Sequence, residues 1–471
     1  MTRPLRLDPD RLFPAEPRTR DIARSLYGGV KDLPIVSPHG HTDPAWFAYN
    51  EPFADPATLL IVPDHYLFRM LYSQGVRLED LGIPTRDGTP VETDPRTIWR
   101  RFAAHYRLFR GTPSRMWCDW VFAEVFGLDV ALDAGTADLY FDTIDAALKT
   151  EAFRPRALFE RFGIEAIATT ESPLDPLDHH RAIRESGWQG RVVTAYRPDP
   201  VMDPEAEGFA DNVALLGEMA GEDVGSFAGY LRAHENRRAY FREFGATSTD
   251  HGHVQATTAW LERSEIEALY ARALAGQCTP AEADTFRGHM LVEMARMSLD
   301  DGMVLQIHPG VHRGHNPWLQ ARFGPNMGAD IPIATEYVTA LKPLLDRHGN
   351  DSRLSVILFT LDEDSYVREL APLAGHYPAL KLGPPWWFND SPEGMRRFRE
   401  RVTETAGFYN TVGFNDDTRA FLSIPARHDV ARRMDCTWLA QLVAEHRLDE
   451  DEAHELAADL AYKLAKAAYR L

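Results

Sequence analysis

The chain has 471 residues, 44% hydrophobic and 26% charged, which is globular composition with no stretch near the roughly 20 apolar residues of a membrane helix and no apolar signal-peptide core behind the start MTRPLRLDPDRLFP. A formal net charge of -19 with no Lys/Arg block excludes the basic footprint of a nucleic-acid binder and opposes binding to anionic lipid, so an anionic substrate needs a local basic pocket. Three cysteines, Cys118, Cys278 and Cys436, lie far apart without a CxxC pair, which argues for reduced thiols in a cytoplasm and against a disulfide framework or a Cys-type zinc site.

In chain order, short β-type runs ending in polar residues alternate with helical stretches. The runs are PIVSPHGH (34–41), IEAIATTES (164–172), RVVTAYRPD (191–199), GATSTDHG (245–252), MVLQIHPG (303–310), LSVILFTLD (354–362), ALKLGPPWW (379–387) and GFYNTVGFNDD (407–417). Strands alternating with helices imply parallel pairing, and this number of units predicts a (β/α)8 TIM barrel within one α/β domain, 1–471. The fourth run, rich in Thr and Ser, is the weakest strand. Between the first and second runs lies more chain than a crossover needs, and 47–150 reads as a helical insertion over the barrel mouth. The stretch from Asp429 to Leu471 is helical in pattern and closes the ring.

A barrel's active site lies at the C-terminal ends of its strands. Reading only those ends gives His39 and His41, Thr170 and Glu171, Arg197, Asp250, His308, Asp362, Trp386 and Trp387, and Asp416 and Asp417. In His39-Gly40-His41 the two imidazoles are two residues apart, so on a strand they face the same side and can share a divalent ion. As an isolated pair they would more often be loop histidines. The groupings His251-Gly252-His253, His179-His180, and His312 with His315 rank lower because they follow the strand ends. His308 ends an apolar strand and is open to three readings, a third ligand, a substrate donor or a core histidine, with donor favoured.

Asp417 on the last run would meet the first-run histidines, because first and last strands are neighbours in a closed barrel. Arg419, two residues on, suits an anion held by two hydrogen bonds. Taken alone, Asp416-Asp417-Thr418-Arg419 reads better as a helix N-cap beside a surface arginine, and beside the His39 and His41 pair that becomes the minority reading. Asp64-His65-Tyr66 lies in the insertion, where Tyr66 is a proton carrier if its pKa is lowered and otherwise an interfacial aromatic, the reading favoured on the residues alone. Trp386 and Trp387 suit a sugar face and equally suit plain packing. No phosphate-binding or dinucleotide glycine motif and no GxSxG elbow is present.

These blocks resemble the uronate (glucuronate) isomerase family of the amidohydrolase superfamily. His39-Gly40-His41-Thr42-Asp43-Pro44, Asp64-His65-Tyr66 with Arg69, RFGIEAIATTESPLD, AYRPD, TDHG (249–252), HPGVHRGHN, WWFND and DTRAFLSIPARHD occur in family order from the first strand to about Asp429. The resemblance implies a distorted barrel with one divalent ion, written as zinc with manganese or iron as alternatives, held by His39, His41 and Asp417. It implies interconversion of D-glucuronate with D-fructuronate and of D-galacturonate with D-tagaturonate through a cis-enediol. It assigns proton transfer to Tyr66, His65, Asp417 and Arg419, and substrate binding to Arg197, Asp250, His308, Arg313 and Trp386. The expected setting is a cytoplasmic homo-oligomer acting on a small sugar acid, with neither nucleic acid nor membrane as partner. The chain departs from the family at Gly40, where cysteine is expected, and at Pro309, the RGHN stretch and Gly383-Pro384-Pro385.

Two other classes compete: a metal-dependent hydrolase on the same scaffold, with Asp417 activating a water, and a non-catalytic sugar binder. Fold alone does not choose between them. The Asp64-His65-Tyr66 and WWFND blocks are the discriminators, since a generic hydrolase has no reason to carry them.

Overall fold

Short runs such as Val304–Ile307, polar only at Gln306, and the wholly apolar Val356–Leu358 are what strands covered on both faces require, and all their residues are buried. The computed structural model, which describes residues 3–471, joins them in one curled parallel sheet. Its strands are β1 (Ile35–Ser37), β2 (Ile164–Glu171), β3 (Arg191–Tyr196), β4 (Ser248–His251), β5 (Val304–Ile307), β8 (Val356–Leu358) and β9 (Leu380–Leu382), paired in that order. The weak fourth run is a strand in register with its neighbour, Asp250 lying opposite Gln306. A separate antiparallel hairpin, β6 (Val311–His312) with β7 (Ile331–Pro332), stands beyond the end of β5.

The eighth run differs from expectation. Residues 407–417 form no strand, and only Thr411 bridges Leu382 in parallel. Gly413, at φ +73°, breaks the extended path immediately afterwards. The barrel is therefore distorted, and its seam closes through a few backbone hydrogen bonds. The Leu382 N–H donates to the Asn410 carbonyl at 2.8 Å on one side, and the His41 N–H donates to the Thr418 carbonyl at 3.1 Å on the other.

Helices alternate with the strands. The longest, Pro280–Asp301, starts at a Thr279/Glu282 capping box, stops at Gly302 in the left-handed conformation, and feeds β5. The helix Ile424–Ala444 buries residues all round and packs on the helix Pro17–Val30. Between β1 and β2 the elements are helical, including His65–Tyr72, Pro95–His105 and Ala137–Leu148, and their apolar faces build a cluster around Trp99, Phe102, Tyr106 and Tyr140. Among the described residues no helix is long and apolar enough to cross a membrane, and all three cysteines are free.

Candidate active site

At the C-terminal mouth of the sheet a cavity of about 390 Å³ is lined by His39, His41, His65, Tyr66, Arg197, Asp250, His308, Arg313, Trp386, Asp417 and Arg419, among others. The residues expected to hold metal, bind substrate or transfer protons all line this one cavity, as do Thr170 and Trp387, whereas the strand-end candidates Glu171, Asp362 and Asp416 do not.

His39 and His41 lie just past the end of β1, not on its ladder. Thr170 at the end of β2 donates its hydroxyl to the Gly40 carbonyl at 2.9 Å, and Thr418 accepts from the His41 N–H, so the turn is held from both neighbouring elements. Both Nε2 atoms converge on one oxygen: His39 Nε2 is 3.5 Å and His41 Nε2 3.2 Å from Asp417 Oδ1. Bonds of about 2.1 Å at tetrahedral angles set neighbouring ligand atoms about 3.4 Å apart, so this donor set fits one divalent ion with a position left for a further ligand. Burial pushes the His41 imidazole down, towards the neutral form a ligand needs, with Asp417 opposing. Burial alone would raise the Asp417 carboxyl, but His39 and His41 outweigh it and hold it ionised. Asp417 itself sits at φ +39°, a left-handed conformation costing about 1–3 kcal/mol for a side-chain-bearing residue, as strained backbone at functional sites often does. Gly40 leaves room: a Cβ there would meet Asp416 Oδ1 only at 3.7 Å, ordinary contact.

His308 lies behind this set. Its Nδ1 is 2.7 Å from Asp250 Oδ1, and its ring stacks on Phe359 at 3.8 Å and on His39 at 4.7 Å. His39, Asp250 and His308 therefore form an alternative donor group that shares His39 with the first. A third group, Asp199, His251 and His253, is buried nearby, but Asp199 already accepts from Arg197 and from the Gly252 N–H, and His251 Nε2 is bonded to Thr249.

The arginines are not equivalent. Arg197 donates to Asp250 at 3.0 Å and to Asp199 at 3.0 Å, which neutralises it, and Asp199 is a partner the sequence did not reveal. Arg313 reaches Asp330 at 3.3 Å. Arg419 has no carboxylate within 4 Å among the described residues, and burial lowers the pKa of its guanidinium, a cation lacking the anion that would stabilise it.

Asp64 caps the helix His65–Tyr72 by accepting the Tyr66 N–H at 2.8 Å, fixing where Tyr66 enters the cavity. The His65 ring stacks on Tyr66 at 5.1 Å and meets the edge of Trp387 at 5.3 Å. Burial, then Arg419, push the His65 imidazole down to about 3, so it is neutral. A proton carrier with a lowered pKa, one of the two readings of Tyr66, is not what the structure shows, because burial and the Asp390 carboxylate drive the Tyr66 hydroxyl well above its usual value. Trp386 is buried edge-on to His308 at 4.8 Å. Asp390, Arg427 and Phe359 were missed. The first two lie inside blocks already conspicuous in the sequence, WWFND and IPARHD, and Phe359 follows an apolar strand with nothing to distinguish it.

The matching family model is that of glucuronate isomerase, over residues 18–469. A uronate isomerase from Sphingopyxis alaskensis is 68% identical, with all of both chains covered. The crystal structure of glucuronate isomerase from Caulobacter crescentus superposes with a TM-score of 0.98 at 63% identity, covering 99% of this chain and 98% of that one. The uronate isomerase of Thermotoga maritima superposes at 0.91 with 27% identity, covering 98% and 99%.

Proposed function

The chain belongs to the glucuronate isomerase family, and we propose that it interconverts D-glucuronate with D-fructuronate, and D-galacturonate with D-tagaturonate, through a cis-enediol. The reaction class is that of a uronate isomerase, an aldose–ketose intramolecular oxidoreductase. The observation that carries the substrate reading is the unpaired Arg419 beside the His39, His41 and Asp417 donor set, a cation placed for a sugar carboxylate in a strongly acidic chain.

His39, His41 and Asp417 would hold one divalent ion, zinc with manganese or iron as alternatives. When bound, the ion supplies positive charge that polarises a sugar oxygen and offsets developing negative charge. The chain's own groups do the rest. Arg419 binds the carboxylate, with Arg313 at the rim. Arg197 fixes Asp250, and Asp250 lies against His308 Nδ1, which leaves the Nε2 of neutral His308 to accept from a sugar hydroxyl. Tyr66 takes the C2 proton of the open-chain aldose and returns it at C1, with neutral His65 stacked against it. Trp386 and Trp387 exclude water from the sugar face. The helical segment 47–150 acts as an insertion that brings Tyr66 over the mouth. The setting is a cytoplasmic homo-oligomer with a small sugar acid as its partner.

The test is incubation with each uronate, following ketose formation with and without a chelator. Ketose formed from either sugar and lost with the chelator is the expected result. Inert uronates alongside hydrolysis of an amide or ester would favour the hydrolase reading.

A further inference from the structure

Behind Tyr66, outside the cavity, stands a buried acid–base pair that the reaction outlined above does not use. Asp390 is 7% exposed and Arg427 3% exposed, and neither lines the cavity that Tyr66 lines. The Tyr66 hydroxyl donates to Asp390 Oδ2 at 3.0 Å. Arg427 Nη1 donates to the same oxygen at 2.7 Å and to the Asp416 carbonyl at 3.3 Å. Arg427 is itself fixed, its Nε donating to Ser423 at 3.2 Å and its guanidinium lying 3.6 Å over the Trp117 ring. The Phe388 N–H completes the arrangement by pointing at the Tyr66 oxygen at 3.4 Å, from a residue at φ +63°.

This geometry decides which way the Tyr66 hydroxyl hydrogen points. It is directed at Asp390, away from the cavity, so towards a group in the cavity the phenol oxygen can act only as an acceptor. Tyr66 is thus presented as an acceptor while still protonated.

We propose that Asp390, held by Arg427, is a positioning residue that receives the Tyr66 hydroxyl proton as Tyr66 takes the C2 proton of the sugar. The proposal rests on Tyr66 being the proton-transfer group of the isomerase. The step balances without a co-reactant. The C2–H bond breaks and its electron pair becomes the enediolate. The Tyr66 oxygen gains that proton and gives its own to Asp390 Oδ2. Within the cis-enediolate the O2 proton moves to the neighbouring O1, and reprotonation at C1 then runs the same two transfers backwards. A phenol buried against a carboxylate does not ionise by itself near neutral pH, which is why the second transfer is needed.

Asp390→Asn tests this. The amide oxygen still accepts the Tyr66 hydrogen bond but cannot take the proton. The expected result is a kcat lower by about 100-fold, the scale of losing a general base, with KM and metal content unchanged and partial recovery in Asp390→Glu. The double variant Tyr66→Phe/Asp390→Asn is expected to be no slower than Tyr66→Phe, because groups acting as one unit are not additive. A wild-type kcat in Asp390→Asn, or additive losses in the double variant, overturns the relay while the Tyr66 assignment stands. A near-normal kcat in Tyr66→Phe overturns both. Wild-type enzyme gives a second measurement that needs no variant to fold. With the Tyr66 O–H in flight, cleavage of the C2–H bond shows a solvent deuterium isotope effect above unity, and an effect of unity overturns the relay.

Discussion

Arg197 and Asp250 form a 3.0 Å ion pair at the ends of adjacent strands, and Asp199 grips the other edge of the same guanidinium at 3.0 Å. Two carboxylates on one cation leave nothing over for a substrate anion, whereas Arg419 has no such partner. We therefore propose a structural role for Arg197 and a substrate-directed one for Arg419.

The first prediction follows from that difference. Arg419→Gln removes a charge-assisted pair worth about 1.5–3 kcal/mol, so KM for D-glucuronate rises about 10- to 100-fold while thermal stability holds. Arg197→Gln leaves two buried carboxylates facing each other and costs on the order of 3 kcal/mol in chemical denaturation. Equal stability losses in the two variants would refute the division. Neutral D-glucose should also turn over far more slowly than D-glucuronate.

The second concerns the ion. Both imidazoles and Asp417 converge at 3.2–3.5 Å. His39→Asn or His41→Asn should lower metal content in elemental analysis, and the double variant should abolish it. A kcat loss of about 1000-fold, equivalent to about 4 kcal/mol, is expected with it. Full occupancy in the double variant would shift attention to the group of His39, Asp250 and His308, which retains two of its donors.

What the sequence revealed was chemistry carried by residue type. His39, His41 and Asp417 stand out because they lie at the ends of runs, with Arg419 two residues on, and strand ends in a barrel converge. The count of eight runs also led to the barrel, although the last run lacks a ladder. There Gly413 breaks the strand, while burial of 411–416 keeps the segment apolar enough to read as one. Pairing between side chains was not legible. Nothing in the chain order says that Asp199 neutralises Arg197, or that Asp390 and Arg427, 37 positions apart, meet behind Tyr66. The direction of the Tyr66 shift follows from its burial and then from Asp390, neither of which its neighbours in the sequence disclose.

A third prediction uses Glu171, at the end of β2 and away from the metal ligands. Thr169 donates to its Oε2 at 2.9 Å and the Thr194 hydroxyl to the same oxygen, yet burial prevails and pushes the carboxyl from 4.5 up to about 8. Between those values the folded chain holds a proton that the unfolded chain has released, so stability falls as pH rises through the window. Glu171→Gln should flatten that slope and gain on wild type, on the order of a few kcal/mol, at about pH 8.5 compared with about pH 5.5. Denaturation curves whose difference is independent of pH would rule the argument out.

The last prediction is Tyr66→Phe. The ring has neighbours that do not depend on the hydroxyl: Trp117 at 5.8 Å edge-on, His65 stacked at 5.1 Å, and the Arg69 and Arg427 guanidinium groups at 5.6 and 5.5 Å. Phenylalanine keeps these contacts. Removing the hydroxyl leaves Asp390 paired with Arg427 and leaves one backbone N–H, that of Phe388, without its acceptor. The stability cost is therefore about 2 kcal/mol, the net worth of two hydrogen bonds at about 1 kcal/mol each. Metal content should not change, because neither histidine nor Asp417 hydrogen-bonds to Tyr66. The rate should respond very differently. Asp417 is held ionised by His39 and His41 and is a weak base for a C–H proton, and His65 at about 3 is weaker than free imidazole. With no other strong base aimed from the insertion side, kcat falls about 100-fold and exchange of the C2 proton with solvent falls with it. Retention of exchange at the wild-type rate in Tyr66→Phe would transfer the base to Asp417 and reduce Tyr66 to packing.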